Sequence, residues 1–166
     1  MASEQNFNGI VYTVGHSNLS FEMFLEIINT INIKILIDVR STPYSKYVPH
    51  FNKESLKIKI NNVGIGYIHM GDRIGGKPKN HEYYQNGELN YIIYESSKKF
   101  NEGILNILKI VDQGTVIMCS EENPYKCHRH LLIAQNLLKR KFKVFHLRAD
   151  KRLERAKMEN NQQKLV

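Results

Sequence analysis

TVIMCSEENPYKCHRHLLIAQNLL, residues 115–138, decides the architecture of this chain. It opens with an apolar run of strand length and closes with apolar residues spaced as on one face of a helix. Between them lie two cysteines, two glutamates, two histidines, a lysine and an arginine. Asn123 and Pro124 read as the N-cap and first position of a helix running to about residue 141. The stretch is strand, polar loop, helix, and that order recurs on its N-terminal side.

Further strands are expected at 10–14, 33–39, 66–70 and 143–147, several rich in β-branched residues. Helices are expected at 21–30, capped by Ser20, at 53–62, and at 89–111 with a break near Gly103. Two prolines argue against regular structure in RSTPYSKYVPHF, and GDRIGGKPKN, residues 71–80, reads as a loop. Strands alternating with helices specify the α/β class. The expectation is a single three-layer domain with a mostly parallel sheet of about five strands and helices on both faces. It spans residues 1–147, and 148–166 form a polar tail, helical or disordered.

The 166 residues suit one domain, and 42% hydrophobic residues supply a core. No apolar run has the length of a membrane span, and MASEQNFNG lacks the features of a secretion signal. A cytoplasmic setting with both cysteines free is the expectation. Twenty-four Lys and Arg against sixteen Asp and Glu give a net charge of +8. That favours an anionic partner, a phosphate-bearing small molecule or nucleic acid, and no membrane.

In a parallel sheet, ligands bind outside the carboxyl ends of the strands. Four polar clusters follow that rule: GHSN, RSTPYSK, GDRIGGKP and SEENPYKCHRH. In the first, His16 is either an acid–base group or a hydrogen-bonded loop residue. In the second, Arg40 either ties to a buried Asp38 or forms a planar fork for phosphate, beside Ser41 and Lys46. In the third, Gly75 and Gly76 let backbone N–H groups approach an anion, flanked by Arg73 and Lys77. The alternative is an ordinary basic turn.

In the fourth cluster, a helix starting at Pro124 places Cys127 on the apolar face with Leu131, Ala134 and Leu138, hence in the core. His130 falls at the edge of that face. His128 and Arg129 point toward the rim. Cys119 is either a nucleophile or a small buried residue. Glu121 is either a proton-transfer group or a partner of Arg129. Cys119 and Cys127 are eight apart, and a helix would separate Cys127 from His128 by about 100°. No metal and no cofactor is therefore expected.

In this order, TVGHSN, LIDVRSTPYSK, Phe51, YIHMGDRIGG and IMCSEENPYKCHRHLLIA resemble the bacterial and archaeal family known as domain of unknown function 488 (DUF488). The likeness covers about residues 10–147. Its most specific part is the run Cys119, Glu121, Pro124, Cys127, His128 and Arg129. The family's Leu-Gly-Gly stands here as Ile74, Gly75 and Gly76, and Lys46 replaces a common Arg. The resemblance implies a small α/β domain and no particular activity. LIDVR and VIMC, followed by a loop, a helix and VFHL, also look like the rhodanese layout, in which a cysteine matching Cys119 carries persulfide. The loop here is longer, bears two glutamates and lacks a glycine-rich cradle, so the likeness is one of topology.

These features point to an enzyme or enzyme-like domain that binds a phosphate-bearing ligand at the carboxyl rim. Arg40, Arg73, Lys77 and Arg129 would hold the anion, and Glu121 and His16 would move protons. The rivals are a nucleic-acid module without chemistry, using Tyr44, Tyr47, Tyr67, Tyr83 and Tyr84, and a thiol enzyme using Cys119.

Overall fold

A computed structural model describes residues 9–111 and 114–160; the outer ends of the expected domain and tail lie outside them. Strands β1 (Ile10–Gly15), β2 (Ile35–Asp38), β3 (Gly66–His69), β6 (Thr115–Cys119) and β7 (Lys143–Leu147) form a parallel sheet. Strands β4 (Tyr84–Gln85) and β5 (Glu88–Leu89) make a separate small hairpin. With β8 at Leu153–Arg155, the main sheet runs β3-β2-β6-β1-β7-β8. This is the α/β architecture expected from the alternation, with six strands instead of about five.

The sixth strand, β8 (Leu153–Arg155), pairs antiparallel with β7 and comes from the stretch read as a helical or disordered tail. It carries one apolar residue in three, so no period marks it. Polar contacts hold it: Glu154 accepts from Arg148 at 2.7 Å and pairs with the Tyr125 hydroxyl, and Glu159 meets His130 Nε2 at 2.8 Å.

Side chains alternate across the buried strands. Val14, Leu36, Val116 and Met118 face helices α1 (Phe21–Ile28) and α2 (Lys53–Asn62) through Phe24, Ile28, Leu56 and Ile60. Ile37, Val11 and Ile117 face the opposite layer of Ile104, Ile107, Leu132, Ile133 and Leu137. Helices therefore cover both faces. Ser20 caps α1 as expected, accepting from Met23 N at 3.1 Å.

The structure departs from the sequence reading at several elements. Gly71–Ile74, read as loop, form a one-turn helix, α3. The long helix expected over 89–111 is two: α4 (Tyr91–Glu95) and α5 (Lys98–Leu108). The break is at Ser96–Ser97, where the Ser97 hydroxyl caps α5 by accepting from Phe100 N. Gly103 sits inside α5, where a Cβ would lie 2.4 Å from Ile74 Cγ2, so it serves close packing. The helix expected from Pro124 is also divided. Pro124–Lys126 make one 3-10 turn, Cys127 is extended (φ −128°, ψ 142°), Arg129–Ala134 are π-helical, and α6 (Gln135–Lys139) follows. Among the described residues, no helix is long and apolar enough to cross a membrane.

Candidate functional site

Strands β3, β2, β6 and β1 are neighbours, so the four polar loops that follow them meet along one rim. A cavity of about 310 Å³ opens there, and Arg40, Ser41, Gly76, Lys77, Cys119, Glu121 and His128 line it. Seven of the twelve candidate residues thus converge. Lys126 and Cys127 join them.

Asp38 ends β2 inside the sheet and is fully buried. Its carboxylate accepts from Arg40 Nε at 2.9 Å, from Arg40 Nη2 at 2.7 Å and from the Tyr67 hydroxyl at 2.6 Å. Arg40 Nη2 also donates to Phe51 O at 2.8 Å. Its Nη1 lies 3.1 Å from His16 Nε2, and His16 Nδ1 lies 2.7 Å from Ser17 O. An imidazole with its proton on Nδ1 donates to Ser17 and accepts from Arg40. Burial first, and then the Arg40 charge, lower His16 to about 4, so it is neutral near pH 7. Burial and the Asp38 carboxylate push Tyr67 up. Of the two alternatives for Arg40, the structural tie to Asp38 is realised, and the lone pair of His16 is engaged.

Arg129 is fully buried and does not point at the rim opening. Its guanidinium donates to Glu121 O at 2.6 Å, to Glu122 O at 2.9 Å and to Thr13 Oγ1 at 3.2 Å. It clamps the backbone of the loop, whereas the sequence suggested a carboxylate pairing with Glu121. Glu122 instead binds Arg148 at 2.9 and 3.0 Å, and that hydrogen bond lowers its carboxyl below the usual range. The Glu121 side chain is exposed and has no ion-pair partner among the described residues.

Cys119, Cys127 and His128 are all buried at the cavity floor. His128 Nδ1 lies 3.8 Å from both sulfurs. Cys127 and His128 are not held about 100° apart as on a helix, because Cys127 precedes the helix in an extended conformation. Cys127 belongs to the core and also reaches the cavity. A hydrogen bond between the thiols raises Cys119 and lowers Cys127; His128 and Arg129 also favour a Cys127 thiolate. His128 Nε2 is buried without a hydrogen-bond partner among the described residues.

The remaining candidates lie apart or behind. Arg73 pairs with Glu102 on α5 at 3.1 Å, both side chains half exposed. Lys46 lies 5.1 Å over the Tyr47 ring. Gly75 O accepts from the Tyr94 hydroxyl, and Lys77 N donates to Ser41 Oγ at 2.8 Å. Lys77 and Lys126 are exposed and lack ion-pair partners among the described residues. The sequence reading missed Cys127 and Lys126 as lining residues. The available signal was that no apolar helical period begins before Leu131.

His130 and His146 form a second buried cluster beneath the site. Thr13 Oγ1 lies 2.7 Å from His146 Nδ1, and His146 Nε2 lies 2.8 Å from His130 Nδ1. Burial lowers His146 to about 3. His130, at the edge of the apolar face, is a hydrogen-bonded packing residue.

Comparison with curated proteins found no match, and neither did comparison with solved structures. The family model described as domain of unknown function DUF488 matches residues 20–135, most of the chain. The match includes the β2, β3 and β6 loops that build the cavity. The chain belongs to the DUF488 family.

Proposed function

We propose that this protein is an enzyme that holds a small phosphate-bearing ligand in the rim cavity and acts on it with the Cys119–Cys127 pair. One observation carries the reading: two sulfurs, an imidazole and two lysines without ion-pair partners among the described residues line the same cavity. Lys77 and Lys126 offset the charge of the anion. One sulfur, as thiolate, is the nucleophile, with the other S–H and the His128 imidazole beside it. Glu121, exposed at the mouth, is the group able to exchange a proton with the ligand. Asp38, Arg40, His16 and Arg129 hold the frame.

Thermal melting with phosphate, nucleotides and short oligonucleotides tests the anion site. At least one should raise the melting temperature, and less so in Lys77→Gln and Lys126→Gln; no rise from any of them ends the anion reading. Iodoacetamide tests the sulfurs. The protein should react faster than a Cys119→Ser, Cys127→Ser double variant, and a bound ligand should protect it. Equal rates for both proteins end the thiol reading.

The exposed Tyr44 and Tyr47, with Lys46 between them, favour a second reading: nucleic-acid binding without chemistry. Tyr67, Tyr83 and Tyr84 do not add to that surface, since they are spent on Asp38, the Tyr94 ring and Pro78 O. Oligonucleotide affinity falling steeply with salt, with no reaction, distinguishes this from the cavity reading.

A further inference from the structure

We infer that Cys119, Cys127 and His128 form a site for a thiophilic divalent cation, of the Zn²⁺ type, whose fourth position opens into the rim cavity. The inference rests on the cavity reading above and gives the same sulfurs a second state.

The geometry carries it. One donor atom from each residue lies within 4.8 Å of the others. His128 Nδ1 is 3.8 Å from each sulfur. A tetrahedral ion with bonds of about 2.3 Å to sulfur and about 2.0–2.1 Å to nitrogen spaces these atoms about 3.6 Å apart. The two sulfur–nitrogen distances are thus within a few tenths of an ångström of that arrangement, and the two sulfurs lie within 4.8 Å of each other. No hydrogen bond from Nε2 holds the ring in any other role, because that atom is buried and unpartnered.

The frame is set independently of any ion. Cys119 closes β6, and the Arg129 guanidinium clamps the loop that leads to Cys127. The loop after α3 closes over the imidazole, with an added Cβ at Gly76 lying only 2.7 Å from Nδ1. Two sulfurs and one imidazole select zinc-like ions over magnesium or calcium, which prefer oxygen. Two thiolates with a divalent cation are neutral together, so the ion relieves the cost of burying adjacent thiolates. Three protein ligands and an open position are the arrangement of catalytic zinc sites, and here Ser120 and Glu121 also line the cavity beside it. A sulfur bound to the ion is no longer a free nucleophile. The metal-loaded protein therefore offers Lewis-acid chemistry or a silenced thiol pair.

The test uses the full chain, stripped with a chelator and titrated with Co²⁺ as the probe. The expected result is one ion per chain, tetrahedral ligand-field bands and a thiolate-to-cobalt charge-transfer band, all abolished by Zn²⁺. Cys119→Ser and Cys127→Ser should each weaken the charge-transfer band and lower affinity by more than about tenfold, as should His128→Gln. Glu102→Gln, on α5 away from the cavity, should leave all of these unchanged. Zn²⁺ should raise the melting temperature of the wild type, so a variant that folds poorly does not decide the matter. Absence of cobalt bands together with no melting shift by Zn²⁺ overturns the inference, as does a spectrum retained when both cysteines are replaced. Alkylation of the metal-free protein is read separately. Slow alkylation with intact cobalt binding counts against the thiol nucleophile alone, and fast alkylation without cobalt binding counts against the metal alone.

Discussion

The rim has two halves, and they treat their polar atoms differently. On the β2 and β1 side, Asp38, Arg40, His16 and Tyr67 satisfy one another through four short side-chain contacts of 2.6–3.1 Å, and two more reach Phe51 O and Ser17 O. On the β6 side, Cys119, Cys127 and His128 meet through long sulfur contacts, and His128 Nε2 has no partner among the described residues. A buried group that has spent its donors and acceptors on neighbours holds a fold in place. A buried group left over is an expense that stability alone does not explain. The first half is frame, and the second keeps two sulfurs and the His128 Nδ1 that no short contact engages.

The largest effect expected from this contrast is in the frame. Asp38→Ala leaves the Arg40 guanidinium buried without its carboxylate, at a cost of about 3–5 kcal/mol. Urea unfolding should show it, while Cys119→Ser should cost no more than about 1 kcal/mol on the same measurement. A reversed ranking would break the comparison.

Acid should loosen the same half. His16 is lowered to about 4 in the folded chain, below the value near 6.5 of an unfolded histidine. Above about pH 6.5 the group is neutral in both states, and the full stability is present. As pH falls, the unfolded chain takes up the proton first. Stability is lost between about pH 6.5 and 4, by about 3 kcal/mol in all from this group. The facing Arg40 charge opposes protonation, and Asp38 favours it. Unfolding free energies of the wild type and His16→Asn should therefore converge as pH drops toward 4. Parallel curves would remove His16 from the frame.

The two halves were not equally legible in the sequence. The rim itself followed from strand–helix alternation, because each polar cluster had to leave the carboxyl end of a parallel strand. Asp38 within an apolar strand pattern, two residues before Arg40, already suggested the tie that the structure contains. The β6 half was misread for a local reason. Pro124 starts only one 3-10 turn, and the extended Cys127 resets the wheel before the π-helical segment begins. A one-residue departure from helical φ and ψ changes the direction of every preceding side chain, and composition carries no trace of it. Arg129 was misread because its partners are backbone carbonyls, which no sequence displays. The β4–β5 turn was within reach: Asn86 and Gly87 both have positive φ, the pairing that an Asn-Gly turn announces.

The smallest predicted effect is the sharpest test, because two adjacent glycines face the two kinds of neighbour. A Cβ at Gly75 would lie 2.3 Å from Gly71 O and 2.2 Å from Ser41 Oγ. The carbonyl belongs to α3 and has no freedom to retreat, so Gly75→Ala should displace the loop and cost about 3 kcal/mol, the upper end of overpacking. A Cβ at Gly76 meets only the His128 side chain, at 2.7 Å from Nδ1 and 2.9 Å from Cγ. That imidazole has no hydrogen bond from Nε2 to lose, so it can turn. Gly76→Ala should cost about 1 kcal/mol, the lower end of the same range. Its effect belongs in the site: Nδ1 moves away from both sulfurs, and cobalt binding should weaken more than stability does. If Gly76→Ala unfolds the protein as readily as Gly75→Ala, His128 is held as firmly as Arg40, and the β6 half is frame as well.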